Sequence, residues 1–207
     1  MQRIFLAFTN PIDGREAAFN EWYDAHHVPE VLRYGRGFTG CQRFKMQQEL
    51  QVGPVPPWQY LALYDLSCDD LATLAERPFV ADAPALTPFR GLLQDDHVGW
   101  VYTLCDAMPS APAHRPPHPW PSLLFAWSLV PLKDPSAGAA RRTLAGRLPA
   151  RRYELSAPQR RAQLASPWVG LTIYELADDH ASRPPLDGFQ GAWQMAPVST
   201  YVARAPL

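Results

Sequence analysis

The fold is predicted chiefly from residues 3–30, RIFLAFTNPIDGREAAFNEWYDAHHVPE, in which a buried strand leads into an amphipathic helix. The apolar run Arg3–Thr9 ends at an Asn-Pro pair, which is typical of a short buried strand followed by a turn. Asp13 stands three residues before Glu16, the spacing of a capping box, so the helix is predicted to begin there. Pro29 is predicted to end or kink this helix, because a proline ring clashes with the carbonyl group four residues earlier.

The rest of the first half supplies three more strands and a second helix. Residues 38–46 and 58–66 are β-like and flank a proline-rich loop, so they are predicted to pair. A capped short helix is predicted over 69–76 and a fourth strand over 98–105. The resulting order, β-α-β-β-α-β, is typical of a ferredoxin-like α+β unit.

The second half resembles a degenerate copy of the first and follows a proline-rich linker. Its predicted strands and helix lie at 123–130, 151–155, 168–176 and, for the helix, 137–148. The predicted organisation is one ferredoxin-like unit at 1–106, the linker at 107–121 and the degenerate unit at 122–207. The fold class is therefore α+β, and the two tandem units are expected to set their sheets face to face in a barrel-like pair.

Composition limits the partners. The chain has 207 residues, of which 47% are hydrophobic, so it can bury a sizeable core. Its 19 Lys and Arg residues balance 20 Asp and Glu residues, for a net charge of -1. Nucleic acids and membrane surfaces are normally bound by basic patches, so neither is an expected partner.

Cysteine use and hydropathy predict a cytoplasmic protein. The cysteines at 41, 68 and 105 form no C-x-x-C pair, which argues against a disulfide framework or a zinc knuckle. The first apolar run is too short for a signal sequence, and no segment approaches the roughly 20 apolar residues of a membrane-spanning helix.

The first helix carries the candidate chemistry near its C-terminal end. Phe19, Tyr23 and His27 recur every four residues and share one face, and Trp22 and His26 form the neighbouring stripe. The helix dipole favours imidazolium there, and burial against aromatic rings opposes it. The pKa of a histidine can then fall near neutrality, where imidazole serves as an acid or a base. The alternative is structural, with the aromatic side chains in the core and the histidines capping free carbonyl groups.

Two runs in this half resemble a known family. Residues 22–32, WYDAHHVPEVL, followed by residues 37–44, GFTGCQRF, resemble the EthD-like members of the dimeric α+β barrel superfamily. The matching residues are Tyr23, His27, Pro29, Phe38, Arg43 and Phe44. The resemblance implies a cavity between sheet and helices that holds an aromatic or polyketide-like small molecule. Relatives include cofactor-free monooxygenases, cyclases, isomerases, lyases and decarboxylases, besides haem-using branches and members without known activity. Single-unit members commonly dimerise to close the barrel, so a homodimer is also considered.

The predicted function is that of a cofactor-independent enzyme with lyase, isomerase or cyclase-type proton-transfer chemistry on an apolar, aromatic small molecule. His27 is the predicted acid/base, and Tyr23 orients it or donates a hydrogen bond to a developing oxyanion. His26 or His97 would relay protons. The predicted substrate-binding residues are Trp22, Arg43, Phe44, Trp58, Tyr60 and Asp96. No cofactor and no metal are expected. The alternatives are a cofactor-free monooxygenase, a small-molecule or haem-binding protein with the same cavity, and a structural remnant filled by its own side chains.

Several of these residues also have a structural interpretation. Asp96 and His97 can ligate a metal, complete a proton relay or lie in a solvated turn. Arg43 can bind a substrate anion or pair with an acid at the edge of the core. Three aromatic residues alternate along one predicted strand and can form a stacking wall or ordinary sheet packing: Trp58, Tyr60 and Tyr64. No GxGxxG loop occurs, so nucleotide-dependent chemistry is not expected.

Overall fold

A computed structural model describes residues 2–107, 119–129, 150–156, 168–176, 186 and 189–205. The strands are β1 (Arg3–Thr9), β2 (Phe38–Val52), β3 (Tyr60–Leu66), β4 (Val98–Ala107), β5 (Leu123–Ser128), β6 (Ala150–Leu155), β7 (Gly170–Glu175), β8 (Gly191–Pro197) and β9 (Val202–Ala203). The helices are α1 (Glu16–Trp22), a π-helical turn (Tyr23–His27), α2 (Val28–Tyr34) and α3 (Leu71–Glu76).

Eight strands form one closed antiparallel barrel. Their order is β3-β1-β4-β6-β7-β5-β8-β2, and β2 pairs with β3 to close the sheet. The pairings between these strands are all antiparallel. The two-residue strand β9 pairs with β2 beside the barrel. Closure within one chain removes the open edges along which sheets otherwise pair with other chains.

The predicted arrangement of two tandem ferredoxin-like α+β units is wrong. Strand β4 pairs with β6 and β2 pairs with β8, so the halves join edge to edge in a single barrel and do not stack two sheets face to face. Within the described residues, helices occur only at 16–34 and 71–76. The predicted helix at 137–148 and most of the predicted linker, residues 108–118, lie outside the described residues.

The error has a physical cause. Hydrophobic periodicity reports which face of a strand is buried, but not which strand pairs with its edge. Strand β2 continues to Val52, beyond the predicted end at residue 46, and its second half pairs with β8.

No helix in the described part of the chain is long and apolar enough to span a membrane. The cytoplasmic location stays a prediction.

Aromatic side chains fill the barrel interior. Alternate residues of β1 point inward: Ile4, Leu6 and Phe8. The ring centres of Trp127 and Trp193 are 5.0 Å apart, and those of Phe8 and Trp100 are 5.3 Å apart. Contacts of this kind add to the large apolar area that each ring buries. The interior of the barrel is therefore a packed core.

The start of the first helix differs from the prediction. Arg15, and not Asp13, precedes the first helical residue, and no side chain caps this end. Glu16 does not reach back to form a capping box. Instead it accepts a hydrogen bond from Nζ of Lys45 at 2.6 Å and one from the hydroxyl of Tyr60. Those contacts fasten the start of α1 to the barrel.

Candidate active site

The candidate site lies between the helical segment 16–34 and the outer face of the barrel. The helical segment presents Phe19, Trp22, Tyr23, Val31 and Leu32 to outward-facing side chains of β2 and β3, namely Phe38, Cys41, Tyr60, Ala62 and Tyr64. Burial of these apolar faces stabilises the packing by about 25 cal/mol per Å² removed from water. These side chains form a second hydrophobic core outside the barrel, and the cavity described below lies beside it.

A π-helical turn places His27. The backbone N–H of Val28 donates to the carbonyl of Tyr23, five residues earlier, instead of four. The imidazole of His27 consequently stacks on the indole of Trp22, with ring centres 4.8 Å apart and planes 24° apart. It also meets the ring of Tyr23 edge to face at 4.8 Å. In a regular helix Trp22 would lie nearer His26, which is exposed. Single π turns are frequent at functional sites.

Pro29 was predicted to end or kink the helix, and it does not end it. The chain stays helical to Tyr34, and the proline occupies the first turn of α2, directly after the π turn. A proline has no N–H to donate, so the regular hydrogen-bond ladder is interrupted at this point in any case. The π turn and the proline thus lie at the same break in the ladder.

A cavity of about 270 Å³ opens beside His27. It is lined by the helical segment (Trp22, Tyr23, His27, Val31), by the sheet (Phe5, Ala7, Thr9, Phe38, Tyr64, Val98, Gly99) and by the loop before β4 (Pro78, Phe79, Phe89, Leu93, His97). None of the described residues that line it is Asp, Glu, Lys or Arg. Such a cavity suits an apolar molecule with few polar groups.

The imidazole of His27 is held in its neutral form. Burial lowers its pKa to about 4, Glu30 acts in the opposite direction, and Arg43 lowers it further. Neither ring nitrogen forms a hydrogen bond with the described part of the chain. The structural alternative, in which His27 caps backbone carbonyls, therefore does not describe this side chain. A neutral imidazole with free nitrogens can accept a proton.

Two tyrosines line the cavity together with His27. Burial raises the pKa of both Tyr23 and Tyr64, so both phenols stay protonated. Tyr64 pairs across strands with Cys41, and burial also raises the pKa of that thiol. The hydroxyl of Tyr64 is buried near the Tyr23 phenol and the Cys41 thiol, and it forms no hydrogen bond of good geometry with the described residues. A buried polar group of this kind is uncommon in native proteins, and a catalytic role is one of the explanations for it.

Arg43 lies behind Tyr23 and does not line the cavity. Its side chain is 2% exposed and forms an ion pair with Asp24 at 2.8 Å. It also donates to Oδ1 of Asn20 at 2.6 Å, and its guanidinium carbon lies 4.4 Å from the ring centre of Tyr23. The guanidinium is thus satisfied by the protein, which agrees with the structural interpretation of this residue.

His97 lines the cavity from the loop before β4, and Asp96 does not line it. The imidazole of His97 lies 3.3 Å from the carbonyl of Gln94, and the residue is exposed. The carboxylate of Asp96 accepts a hydrogen bond from Asn10 at 2.8 Å. Its backbone carbonyl accepts one from the indole of Trp58 at 2.7 Å.

The structure brings only some of the predicted site residues together. Trp22, Tyr23, His27 and His97 share the cavity. Phe44 and Trp58 pack against the barrel core, and Tyr60 bonds to Glu16 and to Asn20. Trp58 therefore does not share a face with Tyr60 and Tyr64, because it precedes β3 and the two-residue period does not extend to it.

The loop that covers the cavity, residues 77–97, was not predicted from the sequence and is here called the strap. One end is held where Val80 N–H donates to the Tyr34 carbonyl at 2.9 Å. The other end is held where Ile12 N–H donates to the Leu92 carbonyl at 2.9 Å. The only available signal was that apolar residues occur between the prolines of this segment, as in Pro78-Phe79 and Pro88-Phe89.

Because Gly99 has no side chain, the ring of Phe5 can lie against it and form part of the cavity wall. A Cβ at this position would lie 2.5 Å from Cζ of Phe5, so the phenyl ring would have to move. Both residues line the cavity, and we expect Gly99→Ala to displace the ring into it. The affinity for a ligand that fills the cavity, measured by calorimetry with β-naphthol, should fall about tenfold, the usual scale of an overpacked site. Val55→Ala is the control, because that side chain is 66% exposed and does not line the cavity. Equal affinity in both variants would contradict this description of the wall.

No group of three or more His, Cys, Asp or Glu side chains in the described part of the chain is arranged to hold a metal ion. The fold and the site together define a closed antiparallel barrel with a helix-covered apolar cavity that contains a neutral histidine.

The chain has a partial likeness to one curated protein. Over 87 residues, 41% of this chain, it is 34% identical to Core atranone cluster (CAC) protein 1 of Stachybotrys chlorohalonatus (strain IBT 40285). The match covers 34% of that relative, so the chain corresponds to about a third of its length. No family model matches the chain.

The fold is similar to a crystal structure of a protein from Fusobacterium nucleatum subsp. nucleatum ATCC 25586 that is described as a "Putative monooxygenase". The TM-score is 0.53 with 10% identity, and the similarity covers 100% of this chain and 96% of that one. At this identity the likeness shows the fold alone.

Proposed function

We propose that the protein is an enzyme that removes a proton from an apolar small molecule bound in the cavity, with His27 as the base. The observation that carries the proposal is the neutral imidazole, whose nitrogens have no partner in the described part of the chain, at the wall of an apolar cavity. A base of this kind needs no cofactor, since the proton moves directly from the substrate carbon to the ring nitrogen.

The size of the cavity suggests the size of the substrate. An apolar cavity of about 150 Å³ binds benzene, and the cavity beside His27 measures about 270 Å³. A molecule of about two fused rings is therefore the expected occupant. Pockets for drug-sized ligands span roughly 300–1,000 Å³. The cavity lies below this range, and a porphyrin is at least drug-sized, so we do not propose haem.

Tyr23 is proposed to assist His27. Its side chain lines the same cavity, edge to face with the imidazole. Because burial raises its pKa, the phenol keeps its proton and can donate a hydrogen bond to an oxygen of the substrate. Negative charge that develops on that oxygen as the proton leaves carbon would be stabilised by this donor.

Removal of the proton leaves a carbanion on the substrate, and we propose two fates for it. In lyase, isomerase or cyclase chemistry, it is reprotonated or expels a leaving group. In the second candidate function, a cofactor-free monooxygenase, dioxygen converts a substrate CH₂ to C=O and its other oxygen atom leaves as water. The similarity to a protein described as a monooxygenase favours this second fate.

Membership of the EthD-like group is part of the same proposal and is supported by the barrel and by the motif around His27.

The test is hydrogen–deuterium exchange at carbon, followed by proton NMR in heavy water. The probe is β-tetralone, a two-ring ketone with an acidic C–H beside its carbonyl. The protein is expected to accelerate exchange above the buffer rate, and absence of acceleration for this and other two-ring carbon acids would contradict the proposal.

The pH dependence is a separate prediction. The base must be neutral, and burial lowers its pKa to about 4. The kcat/KM for exchange should therefore stay level from neutral pH downward and fall only as the pH drops through about 4. An unperturbed histidine would lose activity through about pH 6.5. Circular dichroism at each pH separates this titration from acid unfolding, and an acidic limb near 6.5 would contradict the assignment of His27.

A further inference from the structure

The middle of the strap is joined to the helical segment through Thr87. Its backbone N–H donates to Oε2 of Glu30 at 2.8 Å, and its hydroxyl donates to Oε1 at 2.5 Å. Its carbonyl accepts a hydrogen bond from the indole nitrogen of Trp22 at 3.2 Å. One strap residue therefore holds both oxygens of a carboxylate and, at the same time, the indole beside it.

Both partners of Thr87 also act on the candidate base. Trp22 stacks on the imidazole of His27. Glu30 stands three residues after His27, a spacing that brings side chains together on a helix, and its charge favours the imidazolium form.

The charged groups around His27 act in opposite directions. Glu30 favours imidazolium and Arg43 opposes it. Arg43 is already paired with Asp24, and the other titratable groups that line the cavity are Tyr23, Tyr64 and His97. Neither tyrosine contributes charge while its phenol is protonated. Glu30 is therefore the group that holds a negative charge close to His27, on which a positive charge would form when the imidazole accepts a proton.

We propose that Glu30 is a positioning residue for His27, and that Thr87 holds its carboxylate so that closure of the strap and stabilisation of the imidazolium occur together. This inference rests on the proposed function. The proton passes from the substrate carbon to His27, and Glu30 neither accepts nor donates it. A carboxylate held by two donors supports imidazolium better than one that rotates in solvent, because its charge needs no reorientation during the reaction.

The test uses Glu30→Gln, which removes the charge and keeps a side-chain oxygen that can accept from Thr87. We expect the kcat of β-tetralone exchange to fall about tenfold, with little change in KM, since a nearby opposite charge typically shifts a pKa by about one unit or more. In the protein without any ligand, NMR titration of the His27 ring should show a pKa lower than that of the unmodified protein. Thr87→Val, which keeps the charge and the N–H donor, should have a smaller effect on both quantities.

The chain offers a matched control on α3. There Thr73 holds both oxygens of Asp70, through its N–H at 3.0 Å and its hydroxyl at 2.5 Å. Asp70→Asn therefore removes the same kind of contact away from the cavity. It should leave the pKa of His27 and the exchange rate unchanged.

The outcomes separate this inference from the proposed function. If Glu30→Gln matches the Asp70→Asn control while His27→Gln abolishes exchange, the inference is overturned and the proposed function stands. If Glu30→Gln slows exchange but leaves the pKa of His27 unchanged, Glu30 only holds the strap, and the positioning role is also overturned. If the unmodified protein catalyses no exchange, the proposed function fails, and the titration alone decides whether Glu30 supports imidazolium on His27.

Discussion

His27→Gln is expected to slow catalysed exchange of β-tetralone by about a thousandfold, within the range usually attributed to a positioned general base. Glutamine has a similar size and keeps polar atoms at the cavity wall, but it cannot accept a proton near neutral pH. The affinity for β-naphthol should change much less, because the cavity and the indole of Trp22 that lines it remain. NMR exchange rates and calorimetry on the same preparation measure the two effects.

The same substitution at His26 discriminates between the two adjacent histidines. His26 is exposed on the π turn and is not among the residues that line the cavity. Its replacement by Gln should therefore change the exchange rate by less than about threefold, the scale of a surface substitution. A large loss in His26→Gln with little loss in His27→Gln would reverse the assignment of the base.

Trp127→Ala is expected to lower the free energy of unfolding by about 3–5 kcal/mol, the usual cost of deleting a buried aromatic side chain. The indole is fully buried inside the barrel and lies 5.0 Å from Trp193 and 5.9 Å from Phe125 between ring centres. Its removal leaves a cavity that neighbouring strands, tied by hydrogen bonds on both sides, cannot fill by moving. Urea unfolding followed by circular dichroism measures the change.

Val55→Ala is the control for this measurement, because the side chain is 66% exposed. It should alter the free energy of unfolding by less than about 0.5 kcal/mol, as surface substitutions usually do. A loss below about 1 kcal/mol in Trp127→Ala would mean that the barrel interior is not packed as described.

The first half of the chain shows what local sequence signals can predict. The strand at Arg3–Thr9 lies where the apolar run and the Asn-Pro pair place it, and the helical segment after it includes His27. These features depend on neighbouring residues alone, so their patterns are visible in the sequence.

Two of the three features that escaped prediction depend on contacts between distant segments. The pairing of β2 with β8 joins residues about 150 positions apart and leaves no local periodicity. The π turn at Tyr23–His27 has the same residue pattern as a regular helix, so the contact between Trp22 and His27 could not be read from spacing. The strap has no strand or helix pattern in the sequence, and its role as the cover of the cavity is visible only from its hydrogen bonds to the helical segment.

The most direct test of His27 as the base is a crystal structure of the protein with β-tetralone bound. We predict that the two rings lie in the cavity, between Trp22 and the outer face of the barrel, with an acidic carbon of the probe facing a nitrogen of His27. The carbonyl oxygen should lie within hydrogen-bond distance of the Tyr23 hydroxyl. Binding elsewhere on the protein, or a cavity closed by its own side chains with His27 bonded to backbone carbonyls, would contradict the proposed role of this histidine.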